Sequence, residues 1–193
     1  MRTFEAQGLL KRRQGAGTFV VGKVEMFDTG LEVLESLETI ADRMGLEVSM
    51  GQLEIEALSA DAELADALGV QLGKKLLSVT RVINAKDIPI AYLRDILPRN
   101  MLSQQDLDER FTGSVLDLLI KRGNPPLEQS RTKVRAVAAR SKEAHALQIQ
   151  KGDVLLMLEA NLVTRKGNVV DHSYSYFLPG HFQLHVNRKI GII

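Results

Sequence analysis

Residues 73–98, GKKLLSVTRVINAKDIPIAYLRDILP, decide the fold, since they are typical of two strands joined by a short turn at Ala85-Lys86-Asp87. A similar stretch, GDVLLMLEANLVTRKGNVVDHSYSYFLP, occupies residues 152–179. When residues 52–77 are shifted by 79 positions, nine residues coincide with the segment that leads into the second copy. The order of element types repeats as well, so the self-similarity indicates a domain built as two related halves rather than chance identity.

The segments around the two hairpins complete each half. Alternation of apolar and charged side chains predicts a half-buried strand before the first hairpin, and Asp61 is placed to cap the short helix that follows. The predicted elements outside the first hairpin are helix 31–44, strand Gln52–Ala60, helix Asp61–Leu68, helix Ser114–Arg122, strand 128–138, helix 141–148, hairpin 153–178 and strand Phe182–Arg188. Two strand-helix-strand-strand units predict a mostly antiparallel sheet with helices on one face, an α+β fold.

Composition sets limits on the function. The net charge is +1 and 45% of the residues are hydrophobic, an ordinary globular mix with no nucleic-acid signal from the chain as a whole. The absence of cysteine excludes disulfides and thiol chemistry. The four histidines form no HxxxH or HxH pair, so we predict no metal and no other cofactor. With no apolar run long enough to cross a membrane and no signal peptide, the sequence predicts a soluble cytoplasmic protein.

Residues 1–21, MRTFEAQGLLKRRQGAGTFVV, concentrate positive charge beside a glycine-rich turn. The segments Leu9–Arg13 and Thr18–Val21 are predicted to be strands, and the glycines between them suit positive φ angles. Winged helix-turn-helix proteins place such a basic hairpin against DNA phosphates and the minor groove. Composition alone would also fit a solvated basic hairpin.

The stretch FEAQGLLKRRQGAGTFVV resembles the end of the DNA-binding domain of GntR-type bacterial transcriptional regulators, where a recognition helix is followed by a basic wing with a Gly-x-Gly-Thr-Phe-Val turn. The resemblance implies that residues 1–21 are the C-terminal remnant of a winged helix-turn-helix domain and that residues 22–30 are a linker. Because the first two helices of that domain are missing, the chain is expected to be a truncated or trimmed product or to have a misassigned start. The DNA-binding residues implied by the resemblance are Arg2, Lys11, Arg12, Arg13, Gly15, Gly17 and Thr18.

Roughly residues 30–190 resemble the UTRA domain, the ligand-sensing domain of the HutC branch of GntR regulators, whose fold is similar to chorismate lyase. The resemblance is carried in order by LESLETIADRMG, by ADALGVQLGKKLLSVTRV and by ALQIQKGDVLLMLEANLV with VVDHSYSYF. It implies that residues 31–193 are an effector-binding domain, that the protein is a homodimer, and that the effector lies between the two halves. Polar side chains of the hairpins are then expected to hold the effector.

Arg81 and Glu159 are the charged candidates on the two hairpins. Arg81 matches a family arginine that binds anionic groups, and its planar fork suits phosphate or carboxylate. Glu159 is a charge inside the apolar run VLLMLEANLV, and such a residue is usually paired or functional. Its predicted partner is Arg81, across the two halves. The alternatives are a surface salt bridge for the arginine and an ion pair that only holds the halves together for the glutamate.

The strand at 169–178 offers further candidates on two faces. Alternation divides its side chains into Asp171, Ser173, Ser175 and Phe177 on one face and His172, Tyr174 and Tyr176 on the other. The resemblance favours Asp171 with Ser173 as effector contacts, with Tyr176 able to reach over an edge. The sequence does not say which face lines the pocket, and core packing is the alternative for the tyrosines.

Three more effector contacts follow from the resemblance. Ser130 and Thr132 lie on the first strand of the second half and match family positions that bind ligand hydroxyl groups. Ser114 lies at a predicted helix N-terminus, where backbone N–H groups suit an anion.

Two places depart from the family pattern. Leu93, followed by Arg94-Asp95, stands where several relatives have an acidic residue, and residues 178–182, LPGHF, replace a polar end of the second hairpin. Both changes remove polarity near the expected site. Arg81 predicts an anionic or carboxylate-bearing metabolite as the effector, and these two departures favour a less polar or carboxylate-bearing molecule over a phosphosugar.

The function predicted from these residues is that of a DNA-binding transcriptional regulator whose C-terminal domain binds a small-molecule effector that modulates operator binding. Such a protein is not an enzyme. One alternative is a chorismate-lyase-like enzyme that uses the arginine and the glutamate of the two hairpins. The other is a ligand-binding module that does not bind DNA.

Overall fold

The computed structural model describes residues 10–13, 17–20, 26–102, 104–107, 111 and 113–190. The strands in these ranges are β1 Leu10–Arg13, β2 Gly17–Val20, β3 Phe27–Gly30, β4 Val48–Ser59, β5 Lys75–Ala85, β6 Ile88–Pro98, β7 Leu127–Ala138, β8 Val154–Thr164, β9 Val169–Phe177 and β10 Phe182–His185. The α-helices are α1 Leu37–Met44, α2 Ala62–Leu68, α3 Val115–Arg122 and α4 Ser141–Ala146, and a 3-10 turn spans Gln104–Leu107. None of the helices in the described ranges is long and apolar enough to cross a membrane.

The centre of the fold is a six-stranded sheet in the order β4-β5-β6-β9-β8-β7. Every neighbouring pair is antiparallel. The first half contributes β4, β5 and β6, the second contributes β7, β8 and β9, and the halves meet where β6 pairs with β9. There, Leu93 lies opposite Ser175 and Asp95 lies opposite Ser173. The predicted α+β class, with its antiparallel sheet, is confirmed.

The helices cover both faces of the sheet, although the sequence pattern leads us to expect them on one. α3 packs in the cluster that contains Leu77, and α1 packs in the cluster that contains Ile83. α2 and α4 pack in the clusters that contain Leu76 and Leu155, respectively. Side chains alternate along a strand, so Leu76 and Leu77 point to opposite faces. Apolar periodicity identifies a helix, but it does not tell which face of the sheet the helix covers.

The first helix is shorter than the predicted 31–44. It begins at Leu37 because Ser36 has extended backbone angles and its Oγ accepts a hydrogen bond from the Thr39 N–H at 3.0 Å, which is helix N-capping. It ends at Met44, before Gly45 in the left-handed conformation at φ 67°. Residues 31–36 therefore form a separate segment between β3 and α1, and this segment contributes to the site described below.

Residues 27–30 form a strand, whereas the sequence predicts a linker over 22–30. This strand, β3, pairs in parallel with β10. Phe27 is fully buried, and its ring stacks on that of Phe182 with 5.0 Å between the centroids. The last strand ends at His185, short of the predicted Arg188. Phe27 is the one large apolar residue among the four of β3, and the strand that pairs with β3 lies near the other end of the chain. Local sequence pattern could therefore not predict this strand.

The two strands predicted near the start of the chain are confirmed. β1 and β2 pair antiparallel, from Leu10 opposite Val20 to Arg13 opposite Gly17. Arg2 and Gly15, two of the predicted DNA-binding residues, lie outside the described residues. The backbones of Lys11, Arg12 and Thr18 lie in the paired strands.

Candidate functional site

A cavity of about 610 Å³ opens on the face of the sheet that carries α1 and α3. Side chains of β6, β7, β8 and β9 form its floor, and residues 29–38 with the start of α3 form its rim. The floor contains small side chains at Ala160, Ser173 and Ser175. Because these side chains are small and the two helices pack mainly over β5 and β6, a space is left beside the junction of the halves.

Arg81 is the centre of a polar network on one wall of the cavity. Only 3% of this residue is exposed. Its Nη1 donates to Glu38 Oε1 at 2.7 Å and to the Gly113 carbonyl at 2.8 Å. Its Nη2 lies 3.6 Å from Asp95 Oδ2, which is within ion-pair range but too long for a hydrogen bond. The guanidinium thus connects β5 to α1, to β6 and to the chain before α3, and two carboxyl groups already lie against it.

Asp171 and Asp95 present buried carboxyl groups to the same cavity. Asp171 is 5% exposed, and within the described residues neither its Oδ1 nor Asp95 Oδ2 has a hydrogen-bond partner. Burial raises the pKa of Asp171 well above its ordinary value, and Asp95 raises it further, against a backbone hydrogen bond from Ile96 and the charge of Arg81. Burial also raises the pKa of Asp95, while Arg81 lowers it. A buried carboxylate without a partner is costly, so these groups are suited to bind a donor or a cation.

The N-termini of α1 and α3 meet at the rim. The Oγ of Ser114 accepts a hydrogen bond from the Asp117 N–H at 3.2 Å, which caps α3. Ser36, the cap of α1, donates to Asp117 Oδ2 at 2.6 Å. Each helix also carries an acidic residue in its first turn, Glu38 in α1 and Asp117 in α3, and a negative charge there complements the helix dipole. The two helix starts are therefore tied together and are electrostatically satisfied by the chain itself.

The structure brings together six of the predicted effector-binding residues in this cavity: Arg81, Ser114, Ser130, Thr132, Asp171 and Ser173. It also identifies the face of β9 that lines the cavity, because Ser175 and Phe177 are part of the lining as well. This is the face that the sequence interpretation favours. That these residues bind an effector stays a prediction.

Glu159 and Tyr176 lie on the opposite face of the sheet, and the predicted ion pair between Glu159 and Arg81 is wrong. Glu159 Oε1 lies 3.0 Å from Lys133 Nζ, and its Oε2 lies 3.0 Å from Arg135 Nη2. The reason is strand alternation, which points Glu159 away from the cavity when its neighbours on β8 point into it. A hydrogen bond from Lys133 holds the pKa of Glu159 below its ordinary value. Tyr176 packs instead against Tyr92, with 6.0 Å between ring centroids.

The sequence interpretation missed two acidic residues of the site, Asp95 and Glu38. It treats Leu93 as a loss of polarity, yet Asp95 lies two residues further along β6 and therefore on the same face. Strand alternation could have found this residue. Glu38 is recognised only through the fold, because no local pattern links the first turn of α1 to the middle of β5.

Comparison with known proteins identifies the class to which this fold and cavity belong. The UTRA domain family matches residues 43–183. A curated relative, the HTH-type transcriptional repressor NagR of Bacillus subtilis (strain 168), is 27% identical over 171 residues, which cover 89% of this chain and 69% of that protein.

Two crystal structures illustrate the shared fold. PhnF from Mycobacterium smegmatis matches with a TM-score of 0.78 at 18% identity, over 98% of this chain and 82% of that one. A GntR-family transcriptional regulator from Bacillus cereus matches with a TM-score of 0.62 at 18% identity, over 75% of this chain and 99% of that one. The chain belongs to the UTRA domain family, the effector-binding domains of GntR-family transcriptional regulators.

Proposed function

We propose that the protein is a regulator of the HutC branch that binds a small-molecule effector in the cavity at the junction of the two halves and thereby changes its binding to operator DNA. The observation that carries this proposal is the cavity itself. It is large enough for a metabolite, and it combines apolar side chains such as Leu93, Leu162 and Phe177 with a few convergent buried polar groups, as ligand sites do. The effector contacts that we propose are Arg81, Ser114, Ser130, Thr132, Asp171 and Ser173.

The rim of the cavity supports a route from effector to DNA. Residues 31–36 line the cavity and connect β3 to α1, and β3 follows the β1–β2 hairpin along the chain. A ligand that contacts this segment in one conformation more than in another shifts the balance between the two conformations. We expect that shift to change the position of the preceding DNA-binding domain relative to the effector domain.

The β1–β2 hairpin is, in this proposal, the wing of a winged helix-turn-helix domain. The basic residues Lys11, Arg12 and Arg13 lie at β1, where a wing would contact phosphate groups. Gly17 and Thr18 follow its turn, and Arg2 and Gly15 complete the proposed DNA contacts. The protein then acts in the cytoplasm, where the DNA is, and has a regulatory rather than an enzymatic role, like the relatives named above.

Homodimerisation is a further part of the proposal. β4 and β7 are the edge strands of the sheet, and an unpaired edge is a ready surface for association. A dimer would carry two DNA-binding domains and suit a palindromic operator. Light scattering of the purified chain is expected to give twice the mass of the monomer at micromolar concentration. A monomer mass under those conditions would contradict this part.

The effector proposal is tested by a thermal-shift screen of metabolites against the wild-type chain and two variants. Ala160→Phe fills the cavity floor, and Arg131→Phe adds the same side chain to an exposed position on the opposite face of the sheet. We expect a compound to raise the melting temperature of the wild type and of Arg131→Phe but not of Ala160→Phe. Ser173→Phe provides a second cavity-filling variant if Ala160→Phe does not fold by circular dichroism.

The link to transcription is tested with operator fragments selected from genomic DNA by the protein. The protein is used with any upstream residues that its gene encodes. Fluorescence anisotropy is expected to show that the stabilising compound changes DNA affinity at least fivefold in the wild type, within the usual range of allosteric coupling. An effect on DNA binding that persists in Ala160→Phe, or no effect of any cavity-binding compound, would overturn the proposed function.

A further inference from the structure

We propose that the effector carries a positively charged nitrogen, an ammonium or guanidinium group, that binds in the cavity beside Asp171 and Asp95. This inference rests on the proposed function and deepens it, because it assigns a ligand chemistry to the cavity. It departs from the anionic effector that Arg81 suggests at the level of sequence.

Asp171 is the buried acidic side chain of the cavity that makes no ion pair among the described residues. Asp171 is only 5% exposed and lines the cavity. Its Oδ1 has no hydrogen-bond partner among the described residues. Asp95 Oδ2 also lacks a hydrogen bond in that part of the chain, although it lies 3.6 Å from Arg81 Nη2. The register places Asp95 opposite Ser173, two residues from Asp171 on β9. A cationic group would provide the partner that buried carboxylates require.

The one cation at the cavity already has two carboxylates against it, although the Nε of Arg81 has no hydrogen-bond partner among the described residues. Arg81 is the one cation in the described lining of the cavity, and Glu38 and Asp95 lie against its guanidinium. The N-termini of α1 and α3 have their own carboxylates in Glu38 and Asp117. An anionic ligand would therefore have to compete with these carboxylates for the two Nη atoms or bind at Nε alone, and it would approach two buried aspartates, which like-charge repulsion opposes.

The other charged side chains that line the cavity are also negative. Apart from Arg81, its charged residues in the described chain are all acidic: Glu32, Glu35, Glu38, Asp95, Glu128 and Asp171. Such a lining attracts cations and raises their local concentration. The carboxyl groups do not converge as a metal site, since no three His, Asp or Glu side chains in the described ranges could hold an ion. An organic cation fits this arrangement better than a bare metal ion.

The affinity is expected to depend on pH in a defined direction. Burial and Asp95 raise the pKa of Asp171, so the free protein takes up a proton there more readily than an exposed aspartate would. The charged groups that act on Asp171 are Asp95 on β6 and Arg81 on β5, and Glu38 on α1 acts in turn on Asp95. A bound cation favours the ionised form, so binding expels the proton, and the affinity increases as the pH rises toward 8.

The test uses three probes of equal chain length and different charge, 1,5-diaminopentane, 1,5-pentanediol and glutarate, together with agmatine and magnesium chloride at constant ionic strength. Dissociation constants are measured by calorimetry for wild type, Asp171→Asn and Glu159→Gln at pH 5.5 and 8. Glu159→Gln is the matched control, because it neutralises a carboxylate on the opposite face of the same sheet. Circular dichroism checks that each variant is folded, and Asp95→Asn replaces Asp171→Asn if needed.

We expect the diamine or agmatine to bind the wild type, with at least tenfold weaker binding in Asp171→Asn, unchanged binding in Glu159→Gln and tighter binding at pH 8 than at pH 5.5. Preferential binding of glutarate, pentanediol or magnesium would overturn the inference, as would equal amine binding in Asp171→Asn, or no amine binding. If a neutral or acidic compound from the metabolite screen is lost in Ala160→Phe, the proposed function stands and only the cation inference fails. If no compound in either experiment is sensitive to Ala160→Phe, both fail.

Discussion

The carboxyl group of Asp171 is buried, and its Oδ1 has no hydrogen-bond partner among the described residues. We predict that Asp171→Asn stabilises the ligand-free protein at pH 8 by about 1–3 kcal/mol, because the amide keeps the shape of the side chain and removes a buried charge that has no ion-pair partner. The folded-state pKa of Asp171 is raised, so its carboxyl favours folding at low pH and this contribution is lost as the pH rises through that pKa. The advantage of Asp171→Asn should therefore shrink as the pH falls toward 4. Urea denaturation at several pH values measures it.

Glu159 serves as the comparison for Asp171, because the contribution of its carboxyl group to stability is expected to depend on pH in the opposite direction. Its pKa is lowered by Lys133, so its contribution to stability is present above the unfolded-state pKa and is lost as the pH falls through the folded-state pKa. Glu159→Gln should destabilise the protein at pH 8 by about 0.2–1 kcal/mol, as expected for an ion pair with exposed partners. Stabilisation by this change, measured in the same urea titrations, would contradict the assignment of the two faces.

His181 is a third buried titratable side chain. It is 4% exposed, and neither ring nitrogen has a hydrogen-bond partner in the described part of the chain. Burial lowers its pKa, so folding is favoured by the neutral ring at neutral pH and this contribution is lost as the pH falls from about 6.5. Wild type should lose more stability between pH 7.5 and 5.5 than His181→Leu in parallel urea titrations. Equal losses would show that His181 does not titrate in this range.

At the scale of elements, the capped starts of α1 and α3 form the rim of the cavity. We predict that Ser36→Ala costs about 0.5–2 kcal/mol of stability, the usual range for an N-cap, and also weakens ligand binding because it releases Asp117. Asp61→Ala is the control, since Asp61 caps α2 through the Leu64 N–H at 2.9 Å on the other face of the sheet. Denaturation and calorimetry should show a similar loss of stability for both variants, but weaker binding only for Ser36→Ala. Equal effects on binding would rule out a specific role of the rim.

The elements also show what the sequence could and could not predict. The hairpins, the strand before each of them and the helices α2 and α3 follow from local alternation, caps and glycine stops, and all are present. The pairing of β3 with β10 and the distribution of helices over both faces depend on contacts between distant residues. Local pattern predicts the candidate site only in part for the same reason. Alternation along β9 groups Asp171 with Ser173, but only the folded sheet places Glu38 beside Arg81.

At the scale of the whole molecule, the internal duplication produces a sheet whose two halves are joined by the β6–β9 ladder. The helix of each half crosses to the other: α2 packs with Val169 and Tyr174 of the second half, and α4 packs with Tyr92 of the first. Each half thus covers part of its partner on one face of the sheet. The cavity lies on the opposite face, beside the junction, so a ligand there contacts elements from both halves.

The most direct test of the central claim is a crystal structure of the protein bound to a compound that raises its melting temperature. We predict electron density for the compound in the cavity, with a cationic nitrogen within hydrogen-bond distance of Asp171 or Asp95 and residues 31–36 closed against it. A compound bound on the opposite face of the sheet, beside Glu159 and Tyr176, would contradict the account.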